Sequence, residues 1–165
     1  MTSRKINSLK IEGNSMLKWH KLKNPLAVAY NFVLIQFSKY IPSLPAKEFA
    51  LRFTGMKIGK GTGIGLAVQF DIFFPELIEI DDNSIIGYGT TLLAHEFLQN
   101  EFRTGEIKIG KNAMIGTNCT ILPGVDIGDG AVVSAMSLIN CDVPAGKTYG
   151  GVPAREIIQP LNRNQ

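Results

Sequence analysis

The chain is poor in the residues that usually build metal centres and covalent frameworks: its 165 residues include two cysteines, two histidines and a single tryptophan. Cys119 and Cys141 form no CxxC pair and have no metal-ligand spacing, so neither a disulfide scaffold nor a thiolate site organises the fold. No base accompanies either cysteine, and a catalytic thiol has no support. No signal-peptide pattern opens the chain. Its most apolar segment is interrupted by Asn31, Gln36 and Lys39 and falls short of the ~20 residues of a membrane span. The expectation is a reducing, cytoplasmic setting, with peripheral membrane contact as the second reading. Acidic residues are scarce at one end. Residues 1–56 carry nine Lys/Arg against two acids, a balance of +7, whereas the remainder carries eight against twelve, a balance of −4. The chain reads as a basic leader on an acidic body.

What is present in excess is turn-forming residues. Seventeen glycines among 45% hydrophobic residues fit one domain rich in tight turns. From Ile107 to Val143 an aliphatic residue returns every sixth position: Ile109, Ile115, Ile121, Ile127, Val133, Ile139. Four places after each stands another residue, mostly small: Ala113, Cys119, Val125, Ala131, Ser137, Val143. Neither the helical period nor strand alternation sustains this, so the repeat is a hexad. The same period starts at Ile58, Ile64 and Phe70, with Thr62, Val68 and Phe74 as partners, and slips through FFPELIE. It resumes at Ile80, Ile86 and Leu92, with Ser84, Thr90 and Glu96 as partners, before the stretch EFLQNEFRTGE, read as a loop. Each hexad offers a short extended piece and a turn, and three make one rung of a coil whose inward residues stack. Glycines after the inward aliphatic (Gly59, Gly65, Gly87, Gly110, Gly116, Gly128) suit crowded corners.

Residues 1–24 show no sustained periodicity and read as a mobile basic tail. Lys18, Lys21 and Lys23 beside Trp19 would also suit an anionic membrane; no nucleic-acid motif accompanies the charge. Pro25 opens a helix on which Leu26, Tyr30, Val33, Phe37 and Ile41 mark one apolar face, ending at Pro42 and Pro45. A second short helix is expected over Ala46–Phe53. These helices read as a cap on the open end of the coil, with interfacial membrane binding as the alternative.

The repeats, LLAHEF ahead of the loop, and the ending GGVPAR resemble the hexapeptide-repeat acyltransferases, nearest to the branch of galactoside and maltose O-acetyltransferases and related xenobiotic acetyltransferases. The resemblance covers Ile58 to about Ile157. It implies an all-β solenoid, a left-handed parallel β-helix with a helical N-terminal extension. It also implies a homotrimer with active sites between subunits, and acetyl-CoA as donor. The organisation expected is a basic tail over 1–24, a helical cap over 25–56, the catalytic coil over 57–145 with its loop at 97–106, and a cofactor-contacting tail over 146–165.

His95 occupies the place of the family's catalytic histidine. An alcohol is a poor nucleophile near neutral pH, and a neutral imidazole within reach can take its proton as the oxygen attacks a thioester. Asp71, in QFDIFFPE, matches an acidic active-site position of the branch; it would orient His95, bind an acceptor hydroxyl, or simply face solvent in a turn. Glu96 would hold the imidazole tautomer or sit in a solvated loop. The resemblance assigns coenzyme A contacts to Thr117, Ala135, Asn140 and Arg155, with Lys147 a further phosphate contact. Three departures stand out: Asn140-Cys141 where relatives show Thr-Lys, Met114 where many have Trp, and a largely apolar LAVQF where acceptor-binding polar groups are expected. His20 reads as structural or exposed, Cys119 as a small buried apolar group, Cys141 as a turn residue. The function expected is O-acetylation of a sugar, glycan or other hydroxylated acceptor, with no metal. The γ-type carbonic anhydrase shares the coil but needs three histidine ligands, and only His20 and His95 exist. A non-catalytic trimeric scaffold, membrane-associated through residues 1–45, is the remaining alternative.

Overall fold

Each hexad folds as a strand of two or three residues followed by a corner, and three strands complete one turn of a parallel coil. A computed structural model describes residues 4–158. The first three residues of the expected tail and residues 159–165 of the C-terminal segment lie outside them.

In chain order, β1 (Asn7–Asn14) leads into a 3-10 turn and the short α1 (Trp19–Leu22), followed by α2 (Pro25–Ser38) and α3 (Leu44–Arg52). The coil begins with β2 (Lys57–Ile58), β3 (Gly63–Ile64) and β4 (Gln69–Phe70). Its second turn is β5 (Ile78–Ile80), β6 (Ile85–Ile86) and β7 (Thr91–Leu92). A long strand, β8 (His95–Thr104), interrupts it. The third turn is β9 (Ile107–Ile109), β10 (Met114–Ile115) and β11 (Thr120–Ile121). The fourth is β12 (Asp126–Ile127), β13 (Val132–Val133) and β14 (Leu138–Ile139), and β15 (Thr148–Gly150) with β16 (Arg155–Glu156) closes the end. Three sheets result, β2-β5-β9-β12, β3-β6-β10-β13-β15-β16 and β4-β7-β11-β14, parallel except at β16.

The inward residues form columns, and pairing places them directly above one another. Ile58, Ile80, Ile109 and Ile127 make one column, with Val143 bridged to Ile127. All are buried, as are Ile64, Ile86, Ile115 and Val133 on the second face and Phe70, Leu92, Ile121 and Ile139 on the third. Burying each contributes roughly 1.5–3 kcal/mol. Their partners are small because the walls converge there, and polar partners turn to corner carbonyls: Ser84 Oγ donates to Gly110 O at 2.6 Å and Thr90 Oγ1 to Gly116 O at 2.9 Å. The corners are equally tight. A Cβ on Gly87 would lie 2.5 Å from the Gly116 carbonyl carbon, and the left-handed backbone two residues into the next corner is taken by Asn118 at φ 54°.

The first turn has no strand before it, and its inward carbonyls would be orphans. Side chains fill that place. Buried Lys47 on α3 donates Nζ to Ile64 O at 3.1 Å and Gly65 O at 2.8 Å. Arg52 Nη2 donates to Ile58 O at 3.0 Å, and Gln69 Nε2 to Phe70 O at 2.7 Å.

Several expectations are revised. Residues 7–14 are not a mobile tail: β1 pairs antiparallel with β8, which occupies the stretch read as a loop. The signal was missed because β1's partner lies about ninety residues away and its exposed ribbon needs no apolar alternation. The face marked by Leu26, Tyr30, Val33 and Phe37 points away from the protein, while Val28, Asn31, Ile35 and Ser38 are buried. Asn31 sits inside because its amide donates to Ile72 O at 3.1 Å. Cys141 stands at a bend, as expected of a turn residue, and its side chain is buried. Among the described residues no helix is long and apolar enough to cross a membrane.

Candidate active site

The hexad loses its count twice, and both losses fall at one corner. Ile58 to Ile80 spans 22 residues and Ile80 to Ile109 spans 29, against 18 from Ile109 to Ile127. The first excess is the bend after Phe70, which ends in a 3-10 turn at Pro75–Leu77; the second is the excursion through β8. Because β4 pairs with β7, these two irregular corners lie one above the other. Asp71 stands at the first and His95 at the second.

They meet. The Asp71 side chain is fully buried, and its Oδ1 accepts the N–H groups of Phe73 at 2.8 Å and Phe74 at 3.0 Å. Its Oδ2 accepts the N–H of Ala94 at 2.8 Å and the Nδ1–H of His95. A carboxylate held by two backbone donors on one oxygen and one on the other leaves Nδ1 as the donating nitrogen, so Nε2 carries the free lone pair. The imidazole is 12% exposed. Four phenyl rings surround it: Phe97 at 4.7 Å, Phe73 at 4.8 Å, Phe74 at 5.9 Å and Phe102 at 6.1 Å between centroids. These rings fix its plane and exclude water, which strengthens the bond to Asp71. Trp19 packs edge-on to Phe73 at 5.7 Å, and Lys23 sits 4.7 Å over the Phe74 ring while pairing with Glu76. The aromatic surround was not read from sequence; its only trace is the density of Phe in DIFFPE and HEFLQNEF.

Glu96 does not reach the imidazole. It pairs with Arg4 at 2.8 Å and lies 3.9 Å from Arg103, and the role of holding the tautomer is filled by Asp71. Adjacent residues of a strand point to opposite sides, and His95 and Glu96 open β8 in that way. His20 is exposed on α1.

Three of the residues assigned to the cofactor fall on two corners, and Lys147 and Arg155 lie by the last strands. Thr117 and Ala135 are exposed and stacked on the corner between the second and third faces, where Met136 N donates to Thr117 O at 2.8 Å. Asn140 follows β14 and shares the column of Asp71 and His95, tied through Leu93 N to Ile121 O at 3.0 Å and Leu122 N to Ile139 O at 3.1 Å. One whole face, β4-β7-β11-β14, separates the two sets. Arg155 is exposed on β16, its Nη1 donating to Ala154 O at 2.7 Å. Lys147 pairs with Glu156 at 3.0 Å, and that carboxylate holds its ammonium above the usual lysine value. Among the described residues no group of His, Cys, Asp and Glu is arranged to hold a metal.

Comparison with known proteins agrees with this architecture. The family described as Bacterial transferase hexapeptide (six repeats) matches residues 106–141. YvoF of Bacillus subtilis (strain 168), named a candidate acetyltransferase, is 48% identical over 157 residues, covering 93% of this chain and 91% of its own. The galactoside O-acetyltransferase of Escherichia coli (strain K12) is 37% identical over 92 residues, which is 52% of this chain and 45% of its own. The Vibrio cholerae hexapeptide-repeat acetyltransferase VCA0836, solved in complex with acetyl coenzyme A, superposes with a TM-score of 0.69 at 24% identity, over 81% of this chain and 87% of its own. A galactoside acetyltransferase solved with coenzyme A gives 0.63 at 23% identity, over 85% and 84%. Such distant structures establish the coil; the near relative over almost the whole length establishes the kinship. The chain belongs to the hexapeptide-repeat acyltransferases.

Proposed function

We propose that this protein is an acetyl-CoA-dependent O-acetyltransferase in which His95 is the general base and Asp71 its positioning residue, and that it works as a homotrimer of left-handed coils. The observation that carries the reading is the Asp71–His95 pair at the two breaks of the repeat. An acceptor hydroxyl hydrogen-bonds to Nε2. As its oxygen attacks the thioester carbonyl, its proton passes to Nε2, and the imidazolium so formed is stabilised through Nδ1–H by the buried carboxylate. Collapse breaks the carbon–sulfur bond, and the proton on Nε2 leaves with the thiolate as free coenzyme A. The acceptor is a hydroxyl of a sugar, glycan or other small molecule, and the four phenyl rings suit one with an apolar face toward the imidazole.

Coenzyme A fits the chain's own groups. Thr117 and Ala135 offer an exposed corner for the amide-bearing arm, and Arg155 and Lys147 offer cations for its phosphates. These groups and His95 lie on different corners of one coil, and in the proposed homotrimer the donor held by one copy meets His95 of a neighbouring copy. The faces support such packing. Outward residues of the first face are Lys57, Glu79, Lys108 and Asp126, a ladder of charges, whereas the second presents Gly63, Ile85, Met114 and Val132 in direct register. Ile85 and Met114 are 53% and 44% exposed in the single chain, an apolar strip suited to the neighbouring coil.

The test is thiol release from acetyl-CoA over a panel of hydroxylated acceptors. His95→Ala is expected to lower kcat about 10²–10⁴-fold with coenzyme A still bound. Absence of coenzyme A binding by the wild-type chain would sink the reading.

A further inference from the structure

We infer that the outward face of α2 is a docking surface for an anionic lipid bilayer, along which the helix lies flat. At 100° per residue, Leu26, Tyr30, Val33 and Phe37 cluster within a narrow arc, directly opposite the buried Val28 and Ile35. Their exposures are 80%, 52%, 49% and 71%, so the helix is apolar on both sides and only one side is covered. The strip runs along one side of a single helix for about three turns. Such a shape suits insertion of side chains into a headgroup boundary rather than receipt of a partner in a groove.

Charge selects the occupant. From Gly13 to Lys47 the sequence has no Asp or Glu, while Lys18, Lys21 and Lys39 flank the helix. None of these three amines is paired to a carboxylate among the described residues. A bilayer rich in acidic headgroups satisfies both parts: apolar depth for the strip and negative charge for the lysines before and after the helix. A second copy of the chain is the poorer fit, because the strip over Ile85 and Met114 already offers a separate apolar face in register along the coil. Of the N-terminal segment only Lys18 and Lys21 take part, since β1 is paired to β8 and Lys23 to Glu76. The inference does not depend on the acetyltransferase reading.

The experiment is co-sedimentation of the full chain with vesicles of phosphatidylcholine alone and with added phosphatidylglycerol. Binding is expected only to the anionic vesicles, weakening with salt. The double variant Leu26→Ser/Phe37→Ser, both at exposed positions, is expected to lose binding about tenfold or more, with the circular dichroism spectrum and coenzyme A binding unchanged. A Phe37→Trp variant gives an independent readout, its emission shifting to the blue on anionic vesicles. No sedimentation of the wild type at low salt, or no shift, overturns the inference. So does a fall in oligomeric mass on Leu26→Ser/Phe37→Ser, which would assign the face to protein.

Discussion

At the scale of single residues, the candidate site rests on one carboxylate with more donors than neighbours usually supply. Asp71 takes three backbone N–H groups and one imidazole N–H, so it both builds the bend after Phe70 and sets the tautomer of His95. Asp71→Asn keeps the shape but puts an amide where an acceptor is required. We expect kcat to fall about 10–100-fold or more with KM for acetyl-CoA little changed, measured by thiol release. Glu96→Gln is expected to leave kcat within about twofold, because its partners are arginines rather than the imidazole. Cys119 is inert for a related reason. Burial pushes its thiol above the usual cysteine value, so thiolate is scarce near neutral pH. A thiol reagent should leave Cys119 unlabelled in the native protein and label it on denaturation.

At the scale of elements, the coil and the start of the helix at Pro25 were legible, and the ribbon of β1 and β8 was not. The hexad named every inward column from Ile58 to Val143, because a period of six is a local property that each rung repeats. Pairing of β1 with β8 is not local, and nothing in Asn7–Asn14 announces a partner in His95–Thr104. Helical spacing found an apolar face on α2 but could not say which way it turned, since the opposite side holds Val28 and Ile35 as well. His95 and Asp71 were legible as a pair only through family resemblance; their rings of Phe were not. Two predictions belong here. Deleting residues 1–14 removes the strand that steadies β8, including the Arg4–Glu96 pair and the bond from Lys5 N to Gly124 O at 2.9 Å. Activity should fall while the coil's circular dichroism persists. Gly87→Ala forces a methyl to 2.5 Å from the Gly116 carbonyl carbon, and the urea midpoint should drop by the equivalent of about 1–3 kcal/mol.

At the scale of the molecule, each face of the prism has its own chemistry: charged over Lys57 and Glu79, apolar over Ile85 and Met114, and mixed over Gln69 and Thr91. If the apolar face joins three copies, Met114→Asp should yield single chains by light scattering and abolish turnover, leaving the Asp71–His95 pair intact. The ends of the prism matter as much as its sides. A stack of parallel rungs has no inherent length, and an unfinished rung is a template on which another chain could continue. Lys47, Arg52 and Gln69 occupy the bonding positions of the first rung, and β16 turns back antiparallel on the last. With Lys47→Met the carbonyls of Ile64 and Gly65 lose their donor, at a cost of about 1–3 kcal/mol. The same side chain that completes the fold therefore acts as a chain terminator, keeping a molecule built like a segment of fibre from growing into one.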